Sequence, residues 1–145
     1  MKMMKILKVF AAVAVATLLW SCNKVSHNGD FDGQWQLMTV TTPSGEETAI
    51  NRCYYCIMLH TANLRASGHA TLTANMTYVK KESVTFEFPY ASPEDLYTWG
   101  LCAEDFPGVD QTKNGVTVTF KVNSLTSDKL IMTSPSGNVL SLRKF

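Results

Sequence analysis

No apolar run in this 145-residue chain is long enough to cross a bilayer as a helix. Such a helix needs about 20 apolar residues, and the uncharged run Val9 to Trp20 ends well short of that at polar Ser21, Asn23 and Lys24. There is no basic stripe either: Lys80-Lys81 and Arg143-Lys144 are the only adjacent basic pairs, which argues against a nucleic-acid surface. Neither a Gly-x-Ser-x-Gly elbow nor a phosphate-cradling glycine loop occurs, so the sequence carries none of the usual hydrolase or nucleotide signatures. Solenoid-type repeats and low-complexity tracts are also missing, which leaves an ordinary folded domain.

What is present begins with an address. Lys2, Lys5 and Lys8 precede the uncharged run, the order of a secretory signal. Leu19-Trp20-Ser21-Cys22 resembles the lipobox of bacterial lipoproteins, with Trp20 where that pattern holds a small residue. The resemblance implies cleavage before Cys22 and acylation of its thiol, and two or three acyl chains anchor stably where one is marginal. The alternative is an ordinary signal peptide with an incidental cysteine. The expected organisation is a lipoprotein signal peptide over 1–21, a flexible tether over 22–29 and one domain over 30–145. Loss of 1–21 removes three lysines and no acid, leaving 10 basic and 12 acidic residues, so the mature chain is mildly acidic.

After residue 30 the chain reads as strands. Val84, Phe86 and Phe88 alternate with polar neighbours, as do Val116, Val118, Phe120 and Val122, and Leu72, Ala74, Met76 and Tyr78. That period of two marks half-buried strands. Cys53 to Leu59 is apolar at almost every position and reads as a central strand buried on both faces. Turn chemistry falls at 42–47, 65–68, 79–83, 125–129 and 134–138. Short connections give an antiparallel up-and-down meander, and seven or eight such strands either close or pack as two sheets rather than leave open edges, with closure the expected outcome. The long stretch between Phe88 and Gly115 breaks this rhythm. Ser92-Pro93-Glu94-Asp95 predicts a short helix there, with Ser92 as its cap. The segment is either a cover for a barrel end or a lid over a ligand.

Gly33-Gln34-Trp35 at the head of the first strand resembles the Gly-x-Trp motif of lipocalins, and "NVLSLRKF" resembles their closing strand. With the lipobox and "CYYCIMLH" as second strand, the mature chain is similar to short lipocalin-like lipoproteins of Bacteroidetes. The resemblance implies an all-β, lipocalin-like barrel. It also implies that Gly33 and Trp35 close the floor and that Arg143 lays its cation on the tryptophan. An interior pocket for a small apolar molecule is further implied, without a ligand identity.

The remaining chemistry has bland alternatives. Within one extended strand Cys53 and Cys56 would lie about 10 Å apart on opposite faces and so cannot bridge each other unless the strand begins after Cys53. Either Cys53 or Cys56 is expected to bridge Cys102 and pin the long loop, or all three stay free thiols. Redox catalysis wants a helix N-terminus that this pattern lacks. Cys56, His60 and His69 sketch a zinc site on paper but supply too few ligands, so no metal or other cofactor is expected. Adjacent acids such as Glu46-Glu47, Glu94-Asp95 and Glu104-Asp105 read as solvated turn residues. Tyr55, Tyr97 and Trp99 are candidate ligand-binding residues at a cavity mouth, or else core and rim packing.

Two functions follow. One is a non-catalytic, membrane-anchored binding module for a small apolar or amphipathic molecule. The other is a scaffold with a filled barrel that meets a protein or glycan partner. The bacterial group resembled implies an outer-membrane lipoprotein. The late first acid, Asp30, points to the periplasmic face, with the cell surface as the alternative.

Overall fold

The computed structural model describes residues 26–145. The predicted signal peptide 1–21, Cys22 and residues 23–25 lie outside the described residues. Within them, alternation sorts side chains inward and outward on nine strands: β1 (Gly33–Thr41), β2 (Glu47–Ala49), β3 (Cys53–Met58), β4 (Thr61–Ala66), β5 (Leu72–Val79), β6 (Ser83–Phe88), β7 (Val116–Leu125), β8 (Lys129–Thr133) and β9 (Val139–Lys144). The sheet order is β2-β1-β3-β4-β5-β6-β7-β8-β9, antiparallel throughout, and β1 also pairs with β9. Eight strands therefore close into a lipocalin-like barrel, and β2 is an extra strip along the second half of β1. This agrees with the all-β expectation.

Strand β3 departs from its reading. Cys53, Tyr55 and Ile57 are buried, whereas Tyr54 and Cys56 are only half-buried. Both neighbours pair with it, but the outer face of a barrel is wet, so its outward residues are not core.

Two ends follow from the meander. At the floor lie the start of β1, the β3–β4, β5–β6 and β7–β8 turns, and the C-terminus. At the mouth lie the β4–β5 and β8–β9 turns and the connection 89–115. A one-turn 3-10 helix, Gly29–Phe31, caps the floor. Phe31 is buried there and stacks on Tyr78 with ring centroids 4.2 Å apart. Residues Ser26 to Asn28, expected in the tether, are already attached: the Asn28 amide donates to Leu59 O at 2.8 Å, and the His27 and His60 rings meet edge-on.

The connection 89–115 forms a plug. Its helix is 3-10, not α, over Glu94–Trp99, with a second short turn over Ala103–Asp105. Ser92 does not cap it as expected. Its hydroxyl and backbone N–H both donate to the Asp95 carboxylate, so the acid reaches back to the serine. Leu96, Trp99, Leu101 and Phe106 from this segment are buried with the barrel interior.

Candidate functional site

The barrel interior is the first place to seek a site, because it is where a closed eight-stranded sheet has room. Here strand alternation delivers Trp35, Tyr55, Phe86, Phe88 and Phe120 to that space, with Leu37, Leu64, Leu130 and Met132 between them. Phe86 sits among aromatic rings, 6.1 Å from Tyr55, 6.2 Å from Phe88 and 5.8 Å from Phe120. Trp35, Tyr55, Phe86 and Phe120 each have 0% of their surface exposed. A void wide enough for water would leave accessible surface on the side chains around it, so none borders these four.

At the mouth, Tyr55 and Trp99 meet, but as a seal. The Tyr55 hydroxyl donates to Trp99 O at 2.6 Å, and the Trp99 indole N–H donates to Arg65 O at 3.4 Å. Burial pushes the Tyr55 phenol far up, with Cys53 and Asp105 adding to it, so it stays a hydrogen-bond donor. The Tyr55 ring has no exposed surface and Trp99 only 1%, so neither offers a ligand an open face. Tyr97 lies outside the seal, more than a third exposed, its hydroxyl donating to Gln111. A cleft of about 180 Å³ beside the seal is lined by His69, Leu72, Glu94, Asp95, Thr98 and Trp99 among others.

The plug is latched by one carboxylate. Asp105 is buried, and its two oxygens accept from the backbone N–H of Cys102 and of Ser136, each at 2.8 Å. Burial works against the charge, but the Ser134 hydroxyl and these N–H groups outweigh it and hold the carboxyl below the usual range. Gly100, with φ +91°, lets the chain press onto the rim: a Cβ there would come within 2.9 Å of Val40 Cγ2. Asn138 donates to Gly100 O across the same joint.

All three described thiols are free, so the expected bridge from Cys53 or Cys56 to Cys102 is not formed. Cys53 does face the plug, 3.6 Å from Thr98 O, but the Cys102 sulfur turns to Asp105 and Ser136, and Cys56 points outward. Burial pushes all three thiols up, the opposite of an activated nucleophile. His60 stands at the floor and His69 at the mouth, on either side of β4. Among the described residues no three His, Cys, Asp or Glu side chains gather as metal ligands.

The floor closure corrects one residue. The ammonium over Trp35 belongs to Lys144, 4.7 Å from the ring centroid, and it also donates to Asp30 O at 2.7 Å. Arg143 points outward instead and donates to Gln36 Oε1 at 3.0 Å. Gly33 makes the arrangement possible: with φ +136°, it leaves space that a Cβ would contest with Lys144 Cε at 3.0 Å. The Trp35 indole N–H is satisfied by Phe31 O. Period two from Leu140 and Leu142 already turns Lys144 inward and Arg143 outward, and that was the available signal.

The outer wall holds a feature the sequence did not disclose. Cross-strand pairing aligns Lys129, Arg143, Gln36, Tyr54 and Arg65 in one row over β8, β9, β1, β3 and β4. Those five strands contain no acidic residue. Within this row a shallow groove of about 390 Å³ is lined by Gln34, Arg52, Tyr54, Arg65, Ala66 and Ser67.

A family model described as a lipocalin-like domain matches residues 16–145. Two solved structures are similar in fold. A lipocalin-like protein from Bacteroides uniformis ATCC 8492 has a TM-score of 0.58 at 20% identity, covering 81% of this chain and 100% of that one. An uncharacterized protein from Bacteroides eggerthii DSM 20697 gives 0.55 at 20% identity, covering 79% and 99%. Among curated proteins nothing matches the chain.

Proposed function

This chain belongs to the lipocalin-like domain family, and from that premise we propose a non-catalytic binding module, anchored to an envelope membrane through acyl chains on Cys22. Its barrel is filled by its own side chains, and it meets its partner on the outer wall. The observation that carries this reading is the absence of exposed surface on Trp35, Tyr55, Phe86 and Phe120. Carriage of a small apolar molecule inside would require the plug to leave and several aromatic rings to repack, which close-packed cores resist.

The groove at Arg52, Tyr54 and Arg65 is the surface best equipped for recognition. Guanidinium forks pair bidentately with carboxylate or sulfate, the Gln34 amide and Ser67 hydroxyl suit sugar hydroxyls, and Tyr54 adds aromatic surface. The partner is an acidic glycan. The test is calorimetry with chondroitin sulfate oligosaccharides and, as a protein-like polyanion, polyglutamate. Binding of the glycan that is lost in the Arg52→Ala/Arg65→Ala double variant supports the reading. Preference for polyglutamate would reassign the partner, and saturable uptake of a fatty acid instead would restore the interior-cargo function.

A further inference from the structure

We propose that the floor of the barrel is a lipid-contacting face, in which the tips of the β3–β4 and β5–β6 hairpins enter the headgroup region of the membrane that anchors the chain. This inference rests on the acylation of Cys22 proposed above and adds an orientation to it.

Three observations converge. The first is where the chain leaves the barrel. Ser26 to Asn28 are fastened to the β3–β4 tip through Asn28 and Leu59 O and through the His27–His60 contact. From Cys22 to Ser26 the chain can reach at most about 14 Å, at about 3.6 Å per residue. An acyl group on Cys22 therefore cannot lie far from the floor, whereas the mouth is a barrel length away.

The second is what the floor displays. Met58, Leu59 and Val79 are 66%, 53% and 46% exposed, and all three stand at the tips of these two hairpins. Lys80 and Lys81 follow Val79 in the β5–β6 turn, with Glu82 behind them. Apolar tips beside cations match an interface where acyl chains lie beneath phosphates.

The third is strain without a reason inside the fold. Leu59 occupies the first position of the two-residue β3–β4 turn with φ +57°. Asn and Gly adopt that conformation readily and leucine does not. A leucine held there with 53% of its surface exposed recovers only part of that strain through packing in the protein. Contact with lipid supplies what the fold withholds.

The test uses the full chain, processed by its host, with Leu59→Trp or, at the opposite end, Tyr97→Trp. Each variant is reconstituted into phosphatidylethanolamine–phosphatidylglycerol vesicles carrying brominated acyl chains. Emission above that of the parent protein is expected to be strongly quenched for Leu59→Trp and for Val79→Trp, and unquenched for Tyr97→Trp. Intact mass of the same samples reports acylation. Acylated Cys22 with equal quenching at both ends, or none, overturns the docking face and leaves the anchor standing; an unacylated Cys22 removes both. Leu59→Asn provides a check on folding: it should raise the melting temperature while lowering the lipid contact of a neighbouring probe at Val79.

Discussion

Lys144 and Arg143 are adjacent, equally charged and on opposite sides of the wall, and they should behave differently. Lys144→Ala removes a cation from the Trp35 face and a donor from Asp30 O, and is expected to cost about 1–2 kcal/mol in urea denaturation. Arg143→Ala, losing an exposed bond to Gln36, should stay within about 0.5 kcal/mol of the parent. Gly33→Ala should cost about 1–3 kcal/mol, because a non-glycine residue is strained at φ +136° and its methyl crowds Lys144. If Arg143→Ala proves the more damaging of the two basic replacements, Lys144 is not the cation that closes the floor. Gly33 and Trp35 were legible from the motif. The identity of the cation needed only the inward phase of Leu140 and Leu142. Ser92 was harder to read: serine and aspartate three residues apart can each supply the oxygen, and here the Asp95 carboxylate accepts from both the N–H and the hydroxyl of Ser92.

At the scale of elements, the plug stands on Asp105. The carboxyl of Asp105 titrates lower folded than unfolded, so it stabilises the protein above the ordinary carboxylate value, about 3.9, and that contribution is lost as pH falls through the lower folded value. Asp105→Asn is therefore expected to cost about 1–3 kcal/mol at neutral pH. The gap in melting temperature between variant and parent should narrow as the solution is acidified below about pH 4. Hydrogen exchange at neutral pH should place the loosening in 93–106 rather than in β6 or β7. A pH-independent gap would mean that the charge is not what latches the plug. Sequence patterning found β5, β6 and β7 because each alternates over six or more residues. β4 and β8 were visible only as intervals between turns, since "TANLRA" alternates but puts two alanines and a single leucine on its inward face, and "KLIMT" is five residues with an apolar run that hides its period. The plug was located by the failure of alternation, but its latch joins Asp105 to Ser136 through tertiary contact that no local pattern encodes.

For the whole molecule, the filled interior and the free thiols make a joint prediction. Native mass spectrometry of the protein isolated from its host should return the polypeptide with nothing beyond the acyl chains proposed on Cys22, and denaturation should show Cys53, Cys56 and Cys102 all retaining their thiol hydrogens. Extra native mass lost on denaturation would mean that the barrel opens in its host. The barrel was readable from strand count and turn spacing, whereas the cationic groove was not. Arg65 joins Arg52 and Tyr54 only through the β3–β4 register, and Gln34 joins them only through the pairing of β1 with β3. The seam between β1 and β9 has a further consequence. Molecules fastened to one surface diffuse in two dimensions and collide far more often than in bulk, conditions in which an unpaired strand edge would seed polymer growth. Among the described residues, the edge left open belongs to β2, three exposed residues long and headed by Glu47. With the anchor proposed on Cys22, such a barrel could be packed densely side by side on a membrane and remain a population of separate molecules.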